Sequence, residues 1–257
     1  MRKKYEFAKK IVQAAGDFLR EQSASDCQVE TKTSPTDLVT QLDKQVQATL
    51  IQQIKVQYPQ DNFLAEEGNM HHPYDQGNVW IIDPIDGTNN FVGQGRDYAV
   101  MLAYLENGQG KFAVIYDVAR SEMLHGGGDF EVEINDSPLG TPIPQDLSRS
   151  LVAMNSGMYA DNEAGLADLA RQSLGLRIYG SAAISFSRVL QGGLLFYVSY
   201  LHPWDYAAAG VLGQKLGFKL LTLEGRKPTY QGSEKVMLIH ESRLSLMDTV
   251  FNQEVQP

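Results

Sequence analysis

The hydrophobic positions of the N-terminal region recur at helical spacing in two segments. In the first, Ile11, Ala15 and Phe18 fall on one face of a helix that we expect to extend to about residue 22. In the second, DLVTQLDKQVQATLIQQIKVQYP, apolar residues of the same spacing predict a helix that ends at Pro59. The stretch between them is rich in Ser, Thr and Pro, which is typical of a loop.

Short apolar and β-branched runs indicate strands in the middle of the chain, beginning with VWII. DYAVMLAYL and KFAVIYDV flank Asn107-Gly108 and therefore predict an antiparallel hairpin. EMLHGGG and FEVEIND are expected to be further strands. These runs together predict an antiparallel sheet in the N-terminal half.

The second half of the chain alternates between the two patterns. Five runs predict strands: LVAMNSG, LRIYG, LLFYVSYL, KLLTL and VMLIH. Helical stretches lie between several of them: EAGLADLARQSL, AAISFSRVLQ and WDYAAAGVLGQKLG. This alternation is typical of βα units and of a mixed, more parallel sheet. We therefore expect an α/β fold whose halves, residues 1–140 and 141–257, pack as one functional unit.

The composition narrows the class of function. The net charge of −9 argues against non-specific nucleic-acid binding, although a bound divalent cation would still allow an anionic substrate. The single cysteine, Cys27, excludes an internal disulfide or a cysteine-based zinc site and fits a reducing cytosol. With no long apolar run and an N-terminus interrupted by charges, we expect a cytoplasmic protein without a membrane span or signal peptide.

Acidic residues stand out at four places along the chain. These are Asp43, Glu66-Glu67, Asp83 with Asp86, and Asp205. Each has an ordinary structural explanation: Asp43 and Thr40 resemble a capping box, and Asp205 stands where an N-cap could open the WDYAAAG helix. The two glutamates are typical of a solvated turn. Taken singly, no position indicates catalysis.

The motif DPIDGT, which follows the apolar run, carries more information than its separate residues. Asp83 and Asp86 can face one point where the chain turns, and Pro84 stiffens that turn. Gly87 allows a ligand to approach the backbone, and Thr88 supplies a hydroxyl where a helix could begin, with N–H groups facing an anion. Oxygen ligands of this kind suit Mg²⁺, which would also relieve the crowding of negative charge.

Competing motifs fit less well. An EF-hand loop needs an oxygen ligand at its third position, where this chain has Ile85. Aspartyl-phosphate phosphatases separate their aspartates by one residue, not two. The chain contains no P-loop or G-x-S-x-G nucleophile motif. His71-His72 could suggest a metal site, but adjacent histidines in a polar loop are more often surface residues.

Several segments together resemble the inositol monophosphatase family of lithium-sensitive, magnesium-dependent phosphatases. WIIDPIDGTNNF, LAEEG and HPWDYAAAG carry the resemblance most strongly. DLVTQLD is similar to the family's D-x-V-T-x-x-D segment, and YGSAA is similar to its G-[ST]-A-A segment. The matching segments occur in family order and extend over nearly the whole chain.

The resemblance implies a fold, an activity and a cofactor. The fold would be a layered α-β-α-β-α sandwich, often in a homodimer. The activity would be hydrolysis of a small phosphate ester, such as an inositol or sugar phosphate, by a metal-activated water without a covalent enzyme intermediate. Two or three Mg²⁺ ions would take part, and Mn²⁺ could substitute for them.

The resemblance also implies residue roles. The first ion would be held by Glu66, Asp83 and the carbonyl of Ile85, and the second by Asp83, Asp86 and Asp205, with Glu66 near a third. The catalytic residues would be Asp43, Glu66 and Thr88. The phosphate would contact Asp86, Gly87 and Thr88. The substrate side would be lined by Gly180, Ser181, Ala182 and Asp205.

One position departs from the inositol-hydrolysing pattern. Those relatives carry a substrate-binding glutamate seven residues before the W-D aspartate, and this chain has Val198 there. Valine cannot accept a polyol hydroxyl, so we expect Val198 to disfavour myo-inositol phosphate unless Ser199 or Tyr200 compensates. A nucleotide such as 3′-phosphoadenosine-5′-phosphate or NADP is therefore the alternative substrate. An inactive binding homologue is disfavoured because every metal carboxylate is present.

Overall fold

The computed structural model describes residues 1–22, 29–31 and 38–251. The helices within these ranges are α1 (Arg2–Glu21), α2 (Gln41–Gln57), α3 (Thr88–Gln94), α4 (Ser156–Ala160), α5 (Leu166–Arg171), α6 (Ala182–Leu190), α7 (Pro203–Lys215) and α8 (Ser245–Phe251). Both predicted N-terminal helices are confirmed. None of the helices in the described part of the chain is long and apolar enough to cross a membrane.

The loop predicted between the first two helices is only partly described. Two short strands, β1 (Val29–Thr31) and β2 (Leu38–Thr40), pair antiparallel within or next to it. Cys27 and Thr36 lie outside the described residues.

The first large sheet has seven strands in the order β3-β4-β5-β6-β7-β8-β9. Their bounds are β3 (Asn62–Ala65), β4 (Asn78–Asp86), β5 (Ala99–Glu106), β6 (Gln109–Asp117), β7 (Glu122–Gly127), β8 (Phe130–Ile134) and β9 (Ser137–Pro138). β3 and β4 are parallel, and the other neighbours are antiparallel. The predicted hairpin is confirmed: Asn107 and Gly108 both have positive φ, as a two-residue I′ turn requires.

The second sheet has five strands in the order β11-β10-β12-β14-β13. Their bounds are β10 (Leu151–Met154), β11 (Gly175–Arg177), β12 (Phe196–Leu201), β13 (Phe218–Thr222) and β14 (Glu234–His240). β10 is parallel to both β11 and β12, whereas β14 is antiparallel to its neighbours. The sheet is therefore mixed, as the alternation of strands and helices predicted.

Helices and sheets alternate in five layers that three apolar cores hold together, which confirms the α-β-α-β-α sandwich. The first core joins α1 and α2 to one face of the seven-stranded sheet, through residues such as Val12, Leu50 and Ile82. The second packs α6 and α7 between the sheets, through Ile81, Leu212 and Leu238. The third lies beyond the five-stranded sheet, through Leu169, Val198 and Met247. Because Ile81 and Ile82 face different cores, β4 must be apolar on both faces, which explains its continuous apolar sequence.

Candidate active site

The acidic motif lies where β4 leaves the seven-stranded sheet. The pairing of β4 with β5 is irregular between Asp83 and Asp86, so the chain bulges at the two residues between them. Both carboxylates are nevertheless buried, at 2% and 7% exposure. The apolar part of β4 thus anchors two acids inside the protein.

A third carboxylate reaches the same place from the C-terminal half. Oxygen atoms of Asp83, Asp86 and Asp205 all lie within 4.8 Å of one another. The acidic pairing that the sequence indicated is therefore completed by a residue more than a hundred positions away. A cluster of hard oxygen donors in this arrangement suits Mg²⁺, whose ligands in proteins are carboxylates, carbonyls and water.

Asp205 is not the N-cap that its sequence position suggested. α7 begins at Pro203, with His202 as the N-cap, and Asp205 is its third residue. The Asp205 carboxylate accepts the backbone N–H of His202 at 2.8 Å. Proline at the first helical position has its φ already set for a helix, so the helix begins three residues earlier than an N-cap at Asp205 would give.

Glu66 joins this cluster from the loop after β3. Its carboxyl lies within hydrogen-bond reach of Asp83. The loop is held from the other side by Gln47, whose side chain donates to the Glu67 carbonyl at 2.6 Å and accepts the Glu67 N–H at 2.8 Å. The solvated turn suggested by the sequence is therefore wrong for Glu66, because the loop is tied to α2.

The electrostatics of Asp83 show how crowded the acids are. Burial, followed by the charges of Glu66, Asp86 and Asp205, raises the pKa of the Asp83 carboxyl well above its ordinary value. The causes of this shift are burial and neighbouring acidic groups. A cation is therefore the partner that would let all these groups ionise together.

Asp86 has a different environment. Burial raises its pKa, but hydrogen bonds from α6 oppose that shift. The Ser181 hydroxyl and the Ala183 N–H (2.9 Å) donate to one carboxylate oxygen, and the Ala182 N–H (3.1 Å) donates to the other. Ser181 and Ala182 thus contact the Asp86 carboxylate directly and are themselves buried. Their role as substrate contacts stays a prediction.

Gly180, the remaining residue of that segment, packs against the acidic motif through Asn90. The Asn90 amide donates to the carbonyls of Asp97 and Tyr179, both at 2.8 Å. A Cβ on Gly180 would lie 3.2 Å from Asn90 Oδ1. Asn90 therefore joins the two halves beside the site. The sequence reasoning missed this residue, although it lies within the quoted motif.

Asp43 and Thr88 meet beside the acidic cluster. Thr88 Oγ1 lies 3.0 Å from both Asp43 Oδ1 and the Ile85 carbonyl oxygen. The other Asp43 oxygen accepts the backbone N–H and hydroxyl of Thr40 at 2.7 and 2.6 Å. The predicted capping box is thus present, and the same carboxylate also contacts Thr88.

Val198 does not lie where the substrate argument required. It is fully buried in the third core, on the face of β12 away from α6 and α7. Because side chains alternate along a strand, its neighbour Tyr197 faces the second core. Burial raises the pKa of the Tyr197 hydroxyl, and the charges of Asp86 and Asp205 also raise it. The Val198 side chain therefore does not face the acidic cluster, and the effect of this position on substrate choice stays a prediction.

Comparison with known proteins agrees with this architecture. The sequence matches the inositol monophosphatase family over residues 1–254. It is 35% identical to an inositol-1-monophosphatase of Bacillus subtilis over 96% of this chain and 95% of the relative. It is 28% identical to a fructose-1,6-bisphosphatase/inositol-1-monophosphatase of Thermotoga maritima, over 96% and 97% of the two chains.

A solved structure has the same fold. It is an IMPase/NADP phosphatase complexed with Mg²⁺ and phosphate, and it superposes with a TM-score of 0.90 at 24% identity over 98% of this chain and 95% of the other. The extended sequence match and the meeting of the motif carboxylates at one point lead to one conclusion. The chain belongs to the inositol monophosphatase family of metal-dependent phosphatases and is a phosphoric monoester hydrolase.

Proposed function

We propose that this protein hydrolyses a small phosphate monoester at the acidic cluster, using Mg²⁺ as cofactor. The observation that carries the proposal is the convergence of Asp83, Asp86 and Asp205 oxygens within 4.8 Å. Since these residues come from both halves, we propose that residues 1–140 and 141–257 act as one catalytic unit.

The oxygen ligands in the cluster can be assigned to individual Mg²⁺ ions. Glu66, Asp83 and the Ile85 carbonyl would hold one ion, and Asp83, Asp86 and Asp205 would hold another. A third ion near Glu66 and replacement by Mn²⁺ are part of the same proposal. When bound, the metal supplies positive charge to the phosphoryl oxygens and acidifies the attacking water.

Thr88 and Asp43 supply the orientation of that water. The single hydroxyl proton of Thr88 faces two acceptors, the Asp43 carboxylate and the Ile85 carbonyl, each at 3.0 Å. Thr88 Oγ1 can therefore contact a water only as an acceptor. In such a contact the water would donate an O–H to Thr88 Oγ1, which leaves its lone pairs free to face phosphorus beside the phosphate-binding turn formed by Asp86 and Gly87.

The substrate class rests on the relatives. The Bacillus subtilis relative is named for inositol 1-phosphate hydrolysis, and the Thermotoga maritima relative for fructose 1,6-bisphosphate as well. We therefore propose an inositol or sugar phosphate, with Gly180, Ser181 and Ala182 on the substrate side. NADP is the second candidate, because a structure with the same fold is an IMPase/NADP phosphatase bound to NADP. We also propose a cytoplasmic homodimer.

A phosphatase screen tests this function directly. Purified protein is assayed on inositol 1-phosphate, fructose 1,6-bisphosphate, NADP and 3′-phosphoadenosine-5′-phosphate, with Mg²⁺, with Mg²⁺ plus Li⁺, and with EDTA. We expect turnover that requires Mg²⁺ and falls with Li⁺. Asp205→Asn should abolish it, whereas Asp161→Asn, at an exposed position after α4, should not. Metal-independent turnover, or equal activity of the two variants, would contradict the proposal.

A further inference from the structure

The loop that carries Glu66 ends in a histidine whose ring reaches the C-terminal half. The loop is closed at its base by the Ala65 N–H donating to the Met70 carbonyl (2.9 Å) and by a bridge between Leu64 and His71. His71 therefore has a defined backbone position although its side chain is exposed. Its ring centroid lies 6.0 Å from that of Trp204, within the range of aromatic contacts.

Trp204 belongs to the segment that positions Asp205. The His202 ring stacks on Trp204 with centroids 4.7 Å apart and planes only 7° from parallel. The His202 backbone N–H donates to Asp205, and Ser233 Oγ lies 2.9 Å from His202 Nε2. The ring contacts of His71, tilted on Trp204, and of His202, stacked on Trp204, thus extend from the Glu66 loop to the beginning of α7.

We propose that His71 is a positioning residue for the metal site. Its ring, packed on Trp204, holds the Glu66 loop against the segment that carries Asp205. The contact acts through shape and not through metal ligation. The two histidines therefore differ in their contacts. His71 lies against Trp204, whereas His72 Nε2 lies 2.9 Å from the Gln76 carbonyl oxygen of its own loop. Supports outside the ligand shell set ligand geometry and commonly change metal affinity about 10- to 100-fold.

The inference rests on the proposed Mg²⁺ site and is tested by metal binding measured independently of turnover. Mg²⁺ titration of the purified protein is followed by calorimetry and by the rise in Tm. We expect His71→Ala to weaken Mg²⁺ binding about 10-fold while kcat at saturating Mg²⁺ stays near the wild-type value. His71→Phe, which keeps a ring but has no ligand nitrogen, should restore the affinity.

His72→Ala is the matched control, because it removes the adjacent imidazole and leaves the contact between His71 and Trp204 in place. The Mg²⁺ affinity of this variant should equal that of wild type. Unchanged affinity in His71→Ala would overturn the inference, as would failure of His71→Phe to restore binding, which would assign the imidazole a chemical role instead. Wild-type protein that binds no Mg²⁺ would contradict the proposed function itself, so the two failures are distinguishable.

Discussion

Asp83 and Asp86 are three residues apart on one turn and are both buried, yet their surroundings differ. Asp86 meets the first turn of α6 and accepts hydrogen bonds from Ser181, Ala182 and Ala183. Asp83 meets other acids, whose charges add to the effect of burial on its pKa. Both halves thus contribute negative charge to the cluster, and the C-terminal half also supplies the donors that fix Asp86 in place.

The largest effect should come from exchanging each aspartate for its neutral isostere. Asp83→Asn and Asp86→Asn should each lower Mg²⁺-dependent turnover at least about 100-fold, more than the loss of a supporting contact usually costs. In the metal-free protein, the two substitutions should change the Tm in opposite directions. Asp83→Asn removes charge repulsion and should raise the Tm in EDTA, whereas Asp86→Asn turns an amide NH₂ toward an existing donor and should lower it. Changes in Tm in the same direction for both variants would contradict the difference we infer between the surroundings of Asp83 and Asp86.

The hydroxyl that supports Asp86 should matter less than the carboxylate itself. Ser181→Ala removes one of three donors to Asp86 and the N-cap of α6, which accepts the Ile184 N–H at 3.1 Å. We expect about 10-fold lower activity and about 1 kcal/mol lower stability. Ser187→Ala, at another buried serine on the far side of α6, is the control for serine removal. Equal losses of activity and stability in both variants would show that the contact of Ser181 with Asp86 does not contribute more than an ordinary buried serine.

The turn after β4, where Gly87 packs against Ser181 of the other half, can be tested with a pair of glycines. Gly87 has φ of 85°, and a Cβ there would lie 3.0 Å from both the Asp97 carbonyl oxygen and Ser181 Cβ. Gly95 has φ of 63° and no atom within 4 Å of such a Cβ. Alanine at either position should cost about 1 kcal/mol through its backbone conformation, and Gly87→Ala should cost more through contact. Denaturant unfolding would measure the difference, and equal costs would remove the steric argument.

The smallest effect should come from Tyr197, which faces the cluster from β12. Its hydroxyl lies within hydrogen-bond reach of Ser185 and Ser199, and Asp86 and Asp205 are near enough to act on its pKa. Tyr197→Phe removes one neutral hydrogen-bonding group and should cost about 1 kcal/mol of stability with little change in kcat. Tyr206→Phe, another buried tyrosine, serves as the comparison in the same unfolding and activity measurements. A large fall in kcat for Tyr197→Phe alone would place that hydroxyl closer to the chemistry.

The sequence patterns predicted local features well. The hairpin at Asn107-Gly108, the capping box of Thr40 and Asp43, and the apolar anchor of DPIDGT depend on neighbouring residues, and the structure contains all three. Asp205 was placed in the right helix but at the wrong helical position. The prediction used the acid alone and overlooked the preference of Pro203 for the first turn.

Predictions that depend on which way a side chain faces were less successful. Val198 was judged by its distance in sequence from Asp205, whereas the pleat of β12 turns it into the third core. His71 looked like a surface residue, and it is exposed, but its contact with Trp204 could not be seen from either local sequence. The contact of Ser181 with Asp86 could likewise not be seen from the sequence, and its place on the substrate side stays a prediction.

The sequence by itself determined the elements of the fold, the family, and the identity of the acids that form the site. These depend on periodicity, turn chemistry and motifs, all of which act over a few residues. Only the tertiary structure decided that Glu66 and Asp205 meet Asp83, that α6 supplies the donors for Asp86, and that β12 turns Tyr197, not Val198, toward the site. Those outcomes arise from the packing of two sheets around α6 and α7, where each side chain's surroundings come from residues distant along the chain.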